Sequence, residues 1–513
     1  MNKLLGKKNR SLFSAKDVRQ IERFGLDLQS VEKQLSMHRS GPTFIKLNRP
    51  CAVHDGIFSF STAQQRRFIS LYDQKSGHFT VQKFVPASGA ASRMFSEWFA
   101  VGSRGSFGSK SLDERFIRHL EQLPFYDRIA GSREGRKLLK EKNIGGLLKY
   151  ILSSDGLHLG KHPKALVPFH RYHSKDIRTP MEEHIAEAAL YTVSQENESS
   201  IHFTLSPGFK SSVTGFLKTV VPRYSAKNKI RYKISLSLQA LSTNTIALDE
   251  NQLPFRDETG KIVFRPGGHG ALLGNLNSLD ADFIFVRNID NIAPETLWGK
   301  IIPYRKMLGG LAISIREEII SHIRQLKNNN IRRSQLDEII FFCSSTLNIV
   351  FPHRFLILSM PEKIRTLLSA LNRPLRVCGM VKNENHPGGG PFWVEEKDGT
   401  QTLQIVENAH VNMLEKDQAD IWSGAGYFNP VDMVCCIKDY RGKRFDLRTF
   451  VNHDTYLITS KHEKGRELKA LEVPGLWNGS MAYWNTVFVR LPVIVFNPVK
   501  TVYDLLCPGH RVW

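Results

Sequence analysis

FVPASGAASRMF, residues 84–95, is an apolar strand that breaks into small residues, one glycine and then an arginine. Val81, Phe84 and Val85 read as a short buried strand, Pro86 ends its pairing, and Ala87 to Ser92 are too small to fill a core. Something approaches this backbone closely. One reading is a tight strand-to-helix connection with Gly89 at a positive φ. The other is a phosphate cradle, in which backbone N–H groups lead into a helix N-terminus and Arg93 supplies countercharge. The stretch matches neither the P-loop nor the GxGxxG pattern, so the rest of the chain has to decide.

The 513 residues leave room for roughly three domain-sized units. Hydrophobic residues at 41% and charged residues at 23% describe a globular chain and exclude a disordered or fibrous one. No apolar run approaches the ~18 residues that span a bilayer. The start MNKLLGKKNRSLFSAKD has a basic end with no apolar stretch behind it, so the sequence predicts a cytoplasmic protein without a membrane partner. Six cysteines form neither a CxxC pair nor a zinc spacing, and are expected reduced and mostly structural. Lys plus Arg (71) against Asp plus Glu (49) gives a formal charge of +22, spread along the chain. That charge fits a solvated basic surface, or a field that steers an anionic substrate. Without an aromatic-interleaved basic tract, it does not predict nucleic-acid binding.

Apolar residues at helical spacing (Val18, Ile21, Leu26, Leu28, Val31, Leu35) predict a helical lead-in over 1–78. From Val81 onward, strand-like runs alternate with helical stretches: IHFTLS, RYKISLSLQ, DFIFVRN, LRVCGMVK, LQIVENA and VDMVCCIK. The alternation predicts an α/β fold, a mostly parallel sheet with helices on both faces. Between about 295 and 372 the pattern turns helical, as in SIREEIISHIRQLK, and NRP at 372–374 reads as a boundary. The expected parts are therefore 1–78, a core over 79–372 that includes this helical insertion, and 373–513.

In KHPKALVPFH, Lys164 stands at the mouth of a short apolar run. In RTPMEEHIAEAALY, Thr179, Pro180 and Glu182 form the start of a helix with a capping box, which accounts for the neighbouring carboxylates. FRPGGHGALLGNL places Gly267, Gly268 and Gly270 around His269, so that the backbone can lie flat against a planar ligand or simply make a wide turn. DADFIFVRNIDN gives a strand and then a polar turn. A carboxylate there, Asp290, sits where open α/β sheets bind ligands, although a turn-forming Asp fits equally.

Taken in order, the Gly-containing loop with arginine, the PK lysine, PGGHG and NIDN resemble the UDP-sugar pyrophosphorylases, a nucleotidyltransferase family. LQIVENAHV, FNPVDMV and NPVKTVYDLL are similar to that family's later segments. Across nearly its whole length, through STNTIAL, NHPGGGPFWV and PGLWNGSMAYWNT, the chain resembles a bacterial group known as domain of unknown function 4301. The resemblance implies a Rossmann-like (GT-A type) fold with a smaller C-terminal α+β region, and synthesis of a nucleotide sugar from a nucleoside triphosphate and a sugar 1-phosphate with Mg²⁺. It assigns Gly89, Ser92 and Arg93 to the triphosphate, Lys164 and Lys500 to phosphates at the reacting centre, and Gln239, Gly267, Gly268 and His269 to the base. Asp290 and Asp432 would hold Mg²⁺, while Gly388, Gly389, Gly390, Glu407 and Asn429 would face the sugar. Two departures stand out: PASGAASRM lacks the family's paired glycines, and Asp432 replaces an asparagine. A non-catalytic nucleotide or nucleotide-sugar binding protein on the same fold is the alternative.

Overall fold

The computed structural model describes residues 12–512 apart from 174–175, 329 and 385–387. The basic start of the chain and the first residues of NHPGGGPFWV therefore lie outside the described residues. The strands of the central sheet are β1 (Ala52–Val53), β2 (Gly56–Phe58), β3 (Val81–Pro86), β4 (Glu198–Leu205), β5 (Arg231–Leu238), β6 (Phe283–Arg287), β7 (Leu375–Lys382), β8 (Asp432–Cys436) and β9 (Asn485–Arg490). They pair in the order β1-β2-β9-β7-β8-β6-β3-β4-β5, and the short strand Tyr427–Phe428 adds to β7. Every strand on this path is parallel to its neighbours except β8, which runs antiparallel between β6 and β7.

The mostly parallel sheet predicted from the alternating pattern is present, with two of its expected strands placed differently. VDMVCC forms β8, but in the opposite direction. LQIV belongs to the strand Gln401–Val406, which pairs with Gly390–Glu395 in a separate antiparallel sheet completed by Leu47–Pro50. The short link between Gly390–Glu395 and Gln401–Val406 can close a hairpin but cannot make the crossover that a parallel pair requires.

Alternation along the strands divides the core. Phe283 and Phe285 pack on one face of β6 with Val81 and Val85 of β3. Ile284, Val286 and Phe84 pack on the other with Met433 and Cys435. The first face is covered by the helices Pro180–Ala188, Lys210–Asn228 and Glu295–Leu326. The long helix Glu295–Leu326 lies against Thr62–Lys75 so closely that a Cβ on Gly310 would meet the Phe68 carbonyl oxygen at 1.9 Å, which requires glycine there. In the lead-in, Ala15–Arg23 and Leu28–Ser40 bury Ile21, Val31 and Leu35 against Ile246 and Leu248.

Thr179 and Glu182 form the expected reciprocal cap, with Pro180 in the first turn. Every residue of that helix is buried, including Glu183, His184 and Glu187. Among the described residues all six cysteines are free, and no helix is long and apolar enough to cross a membrane.

Candidate functional site

Strands β3, β4, β5 and β6 run in parallel and end along one edge, so the segments that follow them meet there. The first, after Pro86, is the loop over residues 87–90. It is pinned by Ala87 N–H on the Thr204 carbonyl (2.9 Å), Ser206 Oγ–H on the Ser88 carbonyl (2.8 Å), Lys164 N–H on the Gly89 carbonyl (3.0 Å) and Ala91 N–H on the His162 carbonyl (3.0 Å). Between these anchors the N–H groups of Ser88, Gly89 and Ala90 find no acceptor among the described residues. Gly89 does not have a positive φ, and a Cβ on it would meet nothing within 4 Å. The tight-turn explanation for this glycine is therefore removed, and an unobstructed row of donors remains. Ser92 and Arg93 follow in a short 3-10 turn, both exposed.

The second segment is the turn after β6. Asp290 Oδ2 accepts from Lys164 Nζ at 2.7 Å and from Lys500 Nζ at 3.3 Å. Lys164 also donates to the Val499 carbonyl, and Val499 N–H returns to the Asp290 carbonyl at 2.9 Å. Residues 126 and 210 positions apart in sequence thus converge on one oxygen. The side chains of Lys164 and Asp290 are 12% and 15% exposed, whereas that of Lys500 is 60% exposed. Burial pushes the Asp290 carboxyl up, but the two ammonium groups outweigh it and hold the pKa below the usual value, so Asp290 is ionised at neutral pH. Burial also lowers the Lys164 pKa, against the pull of Asp290.

Asn291 clamps this turn. Its Oδ1 accepts Asn497 N–H at 2.8 Å, its Nδ2 donates to the Pro430 carbonyl at 3.1 Å, and its own carbonyl accepts from Arg287 at 2.8 Å. One side chain therefore ties NIDN to both FNPVD and the C-terminal NPVK. From beneath, His184 Nε2 lies 3.2 Å and 3.3 Å from the carbonyls of Asn288 and Ile289.

Asp432 is placed otherwise than the resemblance implied. It is 1% exposed, its Oδ2 is paired with Arg287 and lies 3.8 Å from Arg305 Nε, and neither Lys164 nor Lys500 bonds to it. With two guanidinium groups already matching its charge, Asp432 belongs to the buried network that joins Lys83, Glu187, Arg305 and Arg287. Among the described residues no group of three or more His, Cys, Asp or Glu side chains is arranged to hold a metal.

A second cluster gathers the remaining predicted residues. The His269 ring stacks on Trp477 with centroids 4.3 Å apart, its Nδ1 accepts Leu476 N–H at 2.9 Å, and its Nε2 lies 3.8 Å from Glu407 Oε1. Asn478 Nδ2 donates to the same Glu407 oxygen at 2.6 Å, and Asn429 N–H donates to the Gly389 carbonyl at 2.9 Å. Among the described residues Asn478 Oδ1 and Asn429 Nδ2 are buried without a partner. Val431, two residues on, has φ 57°, a strained angle for a β-branched residue.

Several glycines here are explained by the chain itself. A Cβ on Gly267 would lie 2.5 Å from the Thr243 carbonyl oxygen, one on Gly270 2.0 Å from that of Pro474, and one on Gly389 2.6 Å from Ile405 Cγ2. Gly390 meets the Phe392 ring in the same way, while Gly388 is exposed and in ordinary contact only. For Gly267 and Gly270 the close approach is therefore to backbone, not to a planar ligand. Gln239 caps the end of β5, its N–H on the Leu205 carbonyl at 3.1 Å.

Among solved structures, the chain is similar to the UDP-glucose pyrophosphorylase of Leishmania major, at 12% identity and TM-score 0.44 over 96% of this chain and 79% of that one, in a crystal complex with UDP-glucose. It is similar in the same degree to the UDP-glucose phosphorylase of Trypanosoma brucei, at 12% identity and TM-score 0.44 over 96% of this chain and 77% of that one. Curated proteins provide no match. A family model matches residues 14–511, and the chain belongs to that family, described as Domain of unknown function (DUF4301).

Proposed function

We propose that the protein is a nucleotidyltransferase that joins a nucleoside triphosphate, UTP favoured, to a sugar 1-phosphate and releases pyrophosphate. The observation that carries this reading is the meeting of Lys164, Asp290 and Lys500 at the carboxyl edge of the parallel strands, where Lys164 is also bonded to the loop bearing three unpartnered N–H groups. The motif resemblances favour uridine. On this reading the sheet is of the Rossmann-like GT-A type, and the protein works in the cytoplasm.

The chemistry asks for little beyond charge. The acceptor's phosphate oxygen is already anionic and attacks the α-phosphorus; an O–P bond forms there as the bond to the bridging oxygen breaks, and pyrophosphate leaves with its electron pair. No base has to remove a proton, so positioning and charge neutralisation dominate. The N–H groups of Ser88, Gly89 and Ala90, together with Arg93, hold the triphosphate. Lys164, oriented by Asp290 and the Val499 carbonyl, meets the α-phosphate, and the exposed Lys500 folds over the acceptor phosphate. His269 and Trp477 offer a flat wall for the base, and Glu407, Asn429 and Asn478 offer polar groups to sugar hydroxyls. Asp290 fits Mg²⁺, because it is an ionised oxygen donor and Mg²⁺ commonly takes one or two carboxylates plus substrate phosphates. Bound there, the ion would neutralise charge on the phosphates.

The second reading, a non-catalytic nucleotide binder, is favoured by the lysine pair that already occupies Asp290 Oδ2. A pyrophosphate-release assay over the four nucleoside triphosphates and a panel of sugar 1-phosphates with Mg²⁺, beside thermal melts with UTP, separates the two. Release that requires both substrates supports transfer. A rise in melting temperature with UTP but no release supports the binder, and neither response would defeat both.

A further inference from the structure

At the amino-terminal edge of the parallel strands, opposite Asp290, lies a cavity of about 520 Å³. It opens beside Arg373, just ahead of β7, and reaches Asn485 and Thr486 at the start of β9. Ile349, Phe351, Phe355 and Leu358 give it apolar walls. Three guanidinium groups line it, those of Arg354, Arg365 and Arg373, against a single carboxylate, Asp398, which lies 3.6 Å from Arg354.

Arg373 is the informative one. It is half-buried, its Nε donates to the Ser369 carbonyl at 2.9 Å, and among the described residues no carboxylate lies within ion-pair distance of it. A neighbouring cavity of about 610 Å³ shares Arg373, Asp398, Thr400 and Thr402 with the first, so this guanidinium stands at the junction of two hollows. Burial pushes its pKa below the ordinary guanidinium value, although Glu396 and Asp398 oppose the shift. Trp484, 3% exposed and lining the same cavity, has its indole Nε1 buried without a partner among the described residues. Desolvating a cation and an N–H donor in this way is costly unless something pairs with them.

We propose that this cavity is a second binding site that takes a small amphipathic anion, its apolar body on Phe351, Phe355 and Leu358 and its carboxylate or phosphate head on Arg373. The planar guanidinium matches either head through two parallel hydrogen bonds, and the apolar walls supply burial for the remainder. Lys164, Asp290 and Lys500 do not line the cavity, so the proposal is independent of the nucleotidyltransferase reading.

Titration calorimetry on the full chain tests it with decanoate and phenyl phosphate as the two anionic probes and decanol as the neutral control. At least one anion is expected to bind with one-to-one stoichiometry and at least tenfold more tightly than decanol, and which one binds identifies the head group. Arg373→Met should weaken that binding at least tenfold, and Asp290→Asn should leave it unchanged. If Arg373→Met does not fold, Arg365→Met, at an exposed helix position, should weaken binding at least threefold. Anions that bind no better than decanol, wild-type affinity in the arginine variant tested, or loss of binding in Asp290→Asn would each overturn the proposal.

Discussion

Asp290 holds two lysines on a single oxygen, and the two differ in what their loss should do. Lys500 is exposed and removable, so Lys500→Ala should change stability by less than about 0.5 kcal/mol. Lys164 is largely buried, and its removal leaves Asp290 under-compensated, which should cost on the order of 1–3 kcal/mol. If both lysines meet phosphates in the reaction, each substitution lowers pyrophosphate release by about a hundredfold or more. Paired melts and rates check this, and wild-type turnover in both variants would remove the lysines from the chemistry. At this scale the sequence was informative wherever a polar residue followed a strand or a PK dipeptide, because topology makes those positions converge. It misled where the reason for a residue lay elsewhere in the chain. Gly267 and Gly270 answer to the backbone of Thr243 and Pro474, and Asp432 answers to Arg287 and Arg305, none of which is near in sequence.

Among the elements, the C-terminal segment that carries Lys500 is held by an unusual set of buried groups. The His510 ring stacks on His170 at 5.2 Å between centroids, with a 2.9 Å contact between their nitrogens, and His170 Nδ1 lies 2.8 Å from Glu183 Oε1. Tyr172 donates to the same Glu183 oxygen at 2.7 Å. Burial raises the Glu183 pKa from 4.5 to about 8, against the pull of Arg178, and lowers those of His170 and His510 to about 3. Between pH 4.5 and about 8 the folded chain therefore keeps a proton that the unfolded chain releases, so this group's contribution to stability falls as pH rises through that window. The two histidines act in the opposite sense, losing stability as pH falls from 6.5 toward 3. Glu183→Gln, which stays neutral, should make the slope of melting temperature against pH less negative between about pH 5 and 8; one proton accounts for up to about 1.4 kcal/mol per pH unit. An unchanged slope would mean that Glu183 does not hold this proton. The capping box of the helix Pro180–Ala188 was legible in the sequence, but its complete burial was not. The cap explains the carboxylates near the helix start, but the partners that make burial of Glu183 and Glu187 tolerable, Lys83, Arg178 and Arg305, come from other elements.

Across the whole molecule, one mostly parallel sheet draws strands from both sides of residue 372 and leaves its two edges with different equipment: Lys164, Asp290 and Lys500 at one, three arginines and an apolar hollow at the other. The alternation of strands and helices announced that sheet. It could not announce that β8 runs backwards, because β8 is buried on both faces and so carries the same continuous apolar run as a parallel strand. The charge of +22 is a property of the whole surface, and its effect should be the generic one: any affinity for duplex DNA should fall by orders of magnitude between about 50 and 200 mM salt, while the rise in melting temperature with UTP persists. DNA binding that survives 200 mM salt would call for a dedicated interface.

On the proposed function, Asp290 serves phosphate chemistry and does more than shape a turn. Asparagine tolerates the same backbone angles but loses the charge that pairs with Lys164 and Lys500, so a purely structural Asp290 would lose some stability on this change and no turnover beyond it. A group that holds Mg²⁺ and orients Lys164 would lose turnover as well. The direct measurement is pyrophosphate release by wild type and by Asp290→Asn at limiting Mg²⁺, with the melting temperature of each chain without ligand recorded alongside. Asp290→Asn is expected to stay folded and to lose release by on the order of a hundredfold or more, restored only in part by excess Mg²⁺ or Mn²⁺. Wild-type release from a folded Asp290→Asn chain would contradict this role.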